Sequence, residues 1–379
     1  FRRVLFRSSL KMIIQSIELN NFRNYENLQI SFDEGTNILF GDNAQGKTNI
    51  LEAAYLSGTT KSHKGSKDKE MIRFGTNEAH LRTMVLKNGK QYQIDMHLKH
   101  NRSKGIAVNK IPMKKASELF GILNIVFFSP EDLNIIKNGP SERRHFLDAE
   151  LCQLDKIYLS DLSNYNKILN QRNKLLKDMV YRPELSDTLP VWDMQLADTG
   201  KKIIRRREQF VKELNELVHE IHYRISGGRE ELFLSYEPSV SADLLEQELE
   251  RVKPRDLKQC QTSVGPHRDD LLFSIAGVDI RKFGSQGQQR TSALSLKLSE
   301  IELVRKSIHD TPVLLLDDVL SELDSNRQNY LLNSICDTQT IITCTGLDEF
   351  IRNRFEINKV FEVISGQVFE KGQVIERQG

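Results

Sequence analysis

The chain has 379 residues, of which 39% are hydrophobic and 28% charged, enough apolar side chain for packed cores in about two or three domains. With 54 Lys and Arg against 52 Asp and Glu the net charge is +2, so any polyanionic partner must be held by local clusters rather than by the whole surface. No run of 18 or more apolar residues occurs, which leaves no candidate for a membrane-spanning helix, and the scattered Cys152, Cys260, Cys336 and Cys344 lack the close pairs of zinc sites and read as reduced thiols of a cytoplasmic protein.

Residues 1–11 begin without methionine and are expected to be a non-native leader ahead of Met12. Ile13 to Leu19 reads as a strand, and Asn37 to Phe40 is a second apolar stretch running into a Gly-rich loop, with a helical pattern after it at Ile50, Leu51, Ala54 and Tyr55. Thr83 to Leu86 and Tyr92 to Leu98 read as strands joined by a hairpin turn at Asn88-Gly89. Residues 12–120 are thus expected to form the N-terminal part of an α/β head.

Beyond Gly121 the periodicity changes. Apolar residues at 154, 158, 162, 165, 169 and 176, and again at 196, 203, 210, 214, 217 and 221, give two helical stripes. Pro183 and Pro190 are expected to break the chain between them, so residues 121–250 read as a short antiparallel helical arm or lid inserted into the head. Residues 251–379 would complete the head, with helix patterning at Leu294, Leu298, Ile301 and Ile308 followed by strand, helix and strand.

The most specific motif is Gly41-Asp42-Asn43-Ala44-Gln45-Gly46-Lys47-Thr48, a G-x-x-x-x-G-K-[ST] loop framed by a strand and a helix. Its backbone amides would turn inward around phosphates at the positive end of the helix, with Lys47 on the β- and γ-phosphates of ATP and the Thr48 hydroxyl on Mg²⁺. Much later, Val313 to Leu316 is an apolar run ending in Asp317 and Asp318, a strand delivering Asp317 to the metal's water shell and Asp318 to an attacking water as the catalytic group. Ser285-Gln286-Gly287-Gln288 opens a helix and forms a further anion site, although an N-cap explains Ser285 equally well.

These residues resemble the ABC-type ATPases that include the SMC proteins. The resemblance implies that Ser285 to Gln288 of one copy close over the γ-phosphate held by another, so that ATP drives head-to-head homodimerisation. Ser321-Glu322-Leu323-Asp324 looks like the family's D-loop, which puts Asp324 at the nucleotide. The motifs Asn21-Phe22-Arg23-Asn24-Tyr25, Lys61-Ser62-His63, Asp68-Lys69-Glu70, Phe128-Ser129-Pro130-Glu131-Asp132-Leu133 and Gly265-Pro266-His267-Arg268-Asp269-Asp270, in that order, narrow the resemblance to the RecF family of bacterial recombination mediators. That implies a weak, DNA-stimulated ATPase that acts at ssDNA/dsDNA junctions and gaps and helps load RecA with RecO and RecR in DNA repair, replication restart and SOS induction. Arg23 would lie against the nucleotide, as its counterpart does in related heads.

The chain departs from the wider ABC pattern in three places. The second acid is Asp318 rather than glutamate, Ile341-Ile342-Thr343-Cys344-Thr345 offers hydroxyls where a switch histidine is expected, and Ser129-Pro130-Glu131 stands in for the glutamine loop. Slow hydrolysis is therefore expected, below roughly ten turnovers per second. Two other readings stay open: a nucleotide-binding subunit of a transporter, which would co-purify with membranes, and a P-loop kinase, which would phosphorylate a small molecule. Lys61, Lys64, Lys67 and Lys69, and Lys201, Lys202, Arg205, Arg206 and Arg207, are two basic clusters suited to a phosphate backbone or simply to solvent. His63 and His267 lack a second ligand at helical spacing and read as structural or phosphate-contacting.

Overall fold

The computed structural model describes residues 11–335, 337–347 and 357–371, so the expected leader (apart from Lys11) and Cys336 lie outside the described residues. Two compact units are present, one from the chain up to Asp132 together with Glu300 onward, the other Leu133–Ser299. The inserted unit therefore runs further toward the C-terminus than the expected arm of 121–250 and takes in Ser285. The reason is a small sheet that the periodicity of the helices does not reveal.

In the first unit, β1 (Ile13–Phe22), β2 (Tyr25–Ser31), β3 (Thr36–Phe40), α1 (Lys47–Thr59), β4 (Glu78–Lys87), β5 (Lys90–Lys99), β6 (Arg102–Val108), β7 (Ile111–Pro112) and β8 (Ile125–Phe128) follow in order. Six of the strands form an antiparallel sheet ordered β2-β1-β4-β5-β6-β7. Its strands alternate as a sheet with one wet face should: Ala79, Leu81 and Val85 of β4 are buried while Glu78, His80 and Arg82 face solvent. Positive φ at Asn88 (49°) and Gly89 (72°) gives the β4–β5 hairpin the turn its sequence signals.

The second unit contributes α2 (Leu133–Lys137), α3 (Pro140–Leu154), α4 (Lys156–Asp178), α5 (Leu189–Ile225), β9 (Leu232–Glu237), α6 (Leu245–Gln259), β10 (Asp270–Ile275), β11 (Val278–Asp279), α7 (Ile280–Phe283) and the start of α8 (Gln286–Ile308). Helices α4 and α5 pack together, and Leu196, Ile203, Phe210, Leu214, Leu217 and Ile221 are all buried along one stripe of α5. Pro190 does not break the chain as expected; it occupies the first turn of α5, where its missing N–H has no intrahelical partner to lose. The three-stranded sheet β11-β10-β9 is antiparallel, and β9 packs on α5.

The core of this unit holds three fully buried arginines, each paired. Arg143 reaches Asp270 at 2.5 and 3.0 Å, and Arg172 reaches Asp193 at 2.5 Å, Asp256 at 2.8 Å and Thr262 at 2.9 Å. Arg207 donates to Asp148 at 2.7 Å, to the Tyr158 hydroxyl at 2.9 Å and to the Pro266 carbonyl at 2.7 Å. The Gly265 to Asp270 motif is the hub of this network: His267 Nδ1 meets the Tyr165 hydroxyl at 2.7 Å, and Asp269 is bonded by Tyr236 and by the Ser239 amide. Burial pushes the His267 imidazole down to about 4, so it is neutral and structural at pH 7.

The chain then returns to the first unit with β12 (Val313–Asp317), α9 (Ser325–Ser334), β13 (Thr340–Cys344), β14 (Ile357–Ile364) and β15 (Gln367–Lys371). They join β3 and β8 in a second sheet ordered β15-β14-β3-β13-β12-β8, parallel except at the β15 edge. Val313 to Leu316 are fully buried, as the uninterrupted apolar run requires of a strand covered on both faces. Gln339, itself buried, ties the two sheets: its amide donates to the Ile14 and Asp33 carbonyls at 2.8 and 2.7 Å and accepts from the Ile14 N–H at 2.7 Å.

Candidate functional site

The phosphate loop leaves the C-terminal end of β3 and enters α1, which is buried around most of its circumference. Two of its glycines are required by space. A Cβ on Gly46 (φ 116°) would sit 2.5 Å from Asn24 Nδ2 and 2.7 Å from the Tyr25 hydroxyl, and one on Gly41 (φ 148°) would sit 2.4 Å from the Val363 carbonyl oxygen. The loop is held from outside. Asn24 Nδ2 donates to the Gln45 carbonyl at 3.0 Å, the Tyr25 hydroxyl to the Gly46 carbonyl at 3.1 Å, and the Ser365 amide to Gln45 Oε1 at 2.5 Å. These bonds account for Asn24 and Tyr25 in the Asn21 to Tyr25 motif. No side chain caps α1, and its first-turn residues line a cleft of about 280 Å³ bounded also by Lys64, Asp317, Asp318 and Thr343.

Sheet order places the acids. β13 lies between β3 and β12, with Thr343 opposite Leu39 on one side and Asp317 on the other. The Thr48 hydroxyl donates to Asp317 Oδ1 at 2.8 Å, and the Thr343 hydroxyl donates to the same oxygen at 2.7 Å. Thr343 Oγ1 also accepts the Asp318 N–H at 3.0 Å. Asp318 has φ 54°, a left-handed backbone that Asp and Asn adopt far more readily than longer side chains do. That is a local reason for aspartate rather than glutamate here.

Lys47 is 7% exposed and donates to the carbonyls of Gly41 at 2.5 Å and Asp42 at 2.7 Å. Burial lowers its ammonium, against the opposing pull of Asp318, Asp317 and Asp42. A buried cation resting on two carbonyls, an uncapped helix start and a Thr–Asp pair at the strand ends fit a triphosphate with a hard divalent cation: the donors meet phosphate oxygens, and the ligand oxygens suit Mg²⁺.

The RecF/RecN/SMC N-terminal domain model matches residues 13–367. A protein of Agathobacter rectalis named DNA replication and repair protein RecF is 74% identical, over 94% of this chain and 99% of its own length. The chain belongs to the RecF family. A solved structure of the recombination mediator protein RecF with ATP in the RecFOR pathway matches with a TM-score of 0.91 at 37% identity, covering 97% of this chain and 100% of that one. The Smc head domain of Pyrococcus furiosus, with an extended coiled coil and bound to the C-terminal domain of ScpA, covers 95% of this chain and 96% of its own at a TM-score of 0.55 and 18% identity, which carries the fold alone. The fold is thus the α/β, SMC-like ABC-type head with an inserted helical unit.

Not every residue expected at the nucleotide lines the RecF-type cleft. Gly41 and Asp42 shape it through the carbonyls that hold Lys47, and Asn43 to Thr48, Asp317 and Asp318 line it. Arg23 does not. Its guanidinium forms a two-bond pair with the fully buried Glu52 of α1, 2.7 Å each, and also reaches Ser66 Oγ and the Glu70 carbonyl, both at 2.8 Å. Ser285 caps α8 in a capping box: its hydroxyl accepts the Gln288 N–H at 3.1 Å and the Gln288 side chain accepts the Ser285 N–H at 2.9 Å. Ser285, Gln286 and Gly287 are exposed. Asp324 caps α9, accepting the Asn326 and Arg327 amides at 3.1 and 3.0 Å. His63 stacks on Phe127 at 4.1 Å, and burial pushes it down to about 4, a structural role.

The basic run on α5 is neutralised. Lys201 pairs with Glu246, Lys202 with Asp198, Arg205 with Asp243, Arg206 with Asp155 and Arg207 with Asp148. Lys61, Lys64, Lys67 and Lys69 are exposed, and none of them forms an ion pair with a described residue. Sequence reasoning gave no cleft role to Lys64, Asn49 or Thr343. For Thr343 the signal was present, as the hydroxyl-rich end of the strand after the acids.

Removing Arg23 would leave Glu52 ionised, buried and unpaired. Arg23→Ala is expected to cost about 3 kcal/mol, seen as a melting point lowered by about 6–12 °C; an unchanged calorimetric melt would refute the pairing. Burial pushes the Glu52 carboxyl up, but hydrogen bonds from Arg23 and Ser62 outweigh it and hold the carboxyl below its usual 4.5. A carboxylate depressed in the folded state stabilises above its unfolded pKa and loses that contribution as pH falls through its folded one. The gap between wild type and variant should therefore close on acidification.

Proposed function

We propose that this protein is an ATP-dependent, DNA-binding recombination mediator of the RecF type. It acts at ssDNA/dsDNA junctions and gaps, dimerises with ATP, and helps load RecA with RecO and RecR during DNA repair, replication restart and SOS induction, in the cytoplasm. The observation that carries the reading is the cleft itself, in which Lys47, Thr48 and Asp317 converge at the parallel strand ends.

Within that reading Lys47 leaves its two carbonyls for the β- and γ-phosphates, and the α1 amides donate to the remaining phosphate oxygens. Mg²⁺, when bound, would draw charge from the phosphate oxygens as they separate. Thr48 and Asp317 are the residues to hold it, and Thr343 fixes the Asp317 rotamer. Asp318, its backbone pinned by the same threonine, polarises the attacking water. In the dimer, the exposed Ser285 to Gly287 turn of one copy closes over the γ-phosphate held by the other, and Asp324 stands at the same junction. Arg23 acts indirectly, by fixing α1 through Glu52. Lys61, Lys64, Lys67 and Lys69 supply sequence-tolerant contacts to the DNA backbone.

Sedimentation with and without Mg-ATP and gapped duplex tests the reading: a dimer only with nucleotide supports it, and a persistent monomer at saturating Mg-ATP and DNA rejects it. Asp318→Asn keeps a residue suited to φ 54°. That variant is expected to bind ATP and hold the dimer while hydrolysis falls at least ~100-fold, read by phosphate release. Wild-type turnover would assign the water to another group.

A further inference from the structure

On the solvent face of the antiparallel sheet, two strands away from β2, the registers bring together residues that serve no part of the phosphate cleft. His80 of β4 stands directly opposite His97 of β5, and Glu78 opposite Lys99 one step along the same face. The two imidazoles stack with centroids 3.9 Å apart and planes within 24°. Glu78 reaches both, with its carboxylate oxygens 2.9 Å from His97 Nε2 and 3.9 Å from His80 Nε2. Potential ligand atoms from all three lie within 4.8 Å of one another, the sole such group of three or more His, Cys, Asp or Glu among the described residues.

The surroundings leave room for an ion. The rung containing the histidines runs Asn27, Asn20, His80, His97, Gly105 across five strands, so it carries no aliphatic side chain. Gly105 beside His97 presents no Cβ, and its nearest neighbour on that side is His97 Cβ at 3.8 Å. The flanking rung is closed by Arg82 with Asp95 at 2.7 Å, which leaves those charges paired with each other. Lys99 Nζ lies 3.5 Å from Glu78, an exposed, screened pair that a divalent cation would displace.

We propose that Glu78, His80 and His97 form a binding site for a divalent transition-metal ion of the zinc class. Two imidazoles and one carboxylate are a donor set that such ions take, with metal–nitrogen and metal–oxygen bonds of about 2.0–2.2 Å and hence ligand atoms about 3.4 Å apart in a tetrahedron. The 2.9 and 3.9 Å separations bracket that spacing, so small rotations of the exposed Glu78 and His80 and the half-buried His97 on a rigid sheet complete three ligands. Water supplies the fourth.

The test uses the full chain without an affinity tag, stripped with EDTA and titrated with Co²⁺ alone while its visible d–d absorption is followed. One equivalent should bind with the intensity of a tetrahedral nitrogen-containing site. His80→Ala and His97→Ala should each weaken it at least ~10-fold with unchanged melting curves, and substitution of an exposed histidine of α3, His145→Ala, should not. Asp317→Asn should also leave the signal intact, which separates this site from the oxygen-lined cleft. Histidine ring NMR of the wild type during Zn²⁺ addition serves if a variant fails to fold: two rings should shift together and saturate. Millimolar binding only, or affinity indifferent to both histidine variants, would overturn the proposal.

Discussion

Replacing Lys47 with alanine should abolish nucleotide-dependent dimerisation and weaken Mg-ATP binding at least ~100-fold, about 2.8 kcal/mol. The size follows from where the ammonium sits. It is nearly buried, held by two backbone carbonyls, and already opposed by three carboxylates in its resting state. A phosphate chain entering the cleft takes over that cation at short range in a poorly solvated place, where charge-assisted bonds are strongest. Alanine leaves Asp317 and Asp318 facing the phosphates without the buried cation between them. Light scattering and equilibrium binding with a fluorescent ATP analogue give the two readouts; a normal dimer yield from the variant would mean that Lys47 does not hold the phosphates. The fold should survive, because removing the lysine leaves no buried carboxylate behind.

Arg207→Ala is expected to do the reverse: little to nucleotide affinity as such, but a loss of about 3–5 kcal/mol from the helical unit. Arg207 is 1% exposed and the acids at its guanidinium are fixed in place: Asp148 at 2.7 Å, and Asp269, fully buried, at 3.6 Å. Burial works against the arginine's charge, and Asp148 followed by Tyr158 and Tyr236 more than offsets it, so the group stays cationic. Truncation strands Asp269, which cannot reach water, and takes the partner from the partly exposed Asp148. Arg205, two residues away, pairs with Asp243 where both side chains are more than half exposed, so Arg205→Ala should change stability by no more than about 1 kcal/mol. Hydrogen exchange across residues 189–225 would separate the two. Similar protection in both variants would contradict the distinction drawn between buried and surface members of one run.

That distinction marks where sequence reading stops. The phosphate loop, the acidic strand and the two long helices were legible because each obeys a local rule: fixed spacing with obligatory glycines, an apolar run on a strand covered on both faces, a stripe every three or four residues. The five basic residues at 201–207 look alike as text, yet Arg207 is in the core and all five meet acids brought from elsewhere in the chain or one turn away. Arg23 is the same case, since its partner Glu52 lies on the opposite side of the phosphate loop in sequence and only the packing of α1 joins them. Ser285 and Asp324 show the converse. Their hydroxyl and carboxylate satisfy helix starts in the single chain, which is the plain reading of such residues, while their exposure leaves a second use open. The extent of the helical unit was missed because β9 and β10 are short and pair only with each other and the two-residue β11.

The division of the first unit into two stretches of chain has a consequence on the ribosome. β3, which launches the phosphate loop, pairs with β13 and β14 and, among the described residues, with no earlier strand, and Thr48 meets Asp317 across 269 residues. At bacterial elongation rates that interval is on the order of 15–50 s, long enough for the whole helical unit to emerge and fold first. During it the nascent chain carries an apolar strand with both edges bare, a ready substrate for holdase chaperones and a reason for slow synthesis or heat stress to be felt here first.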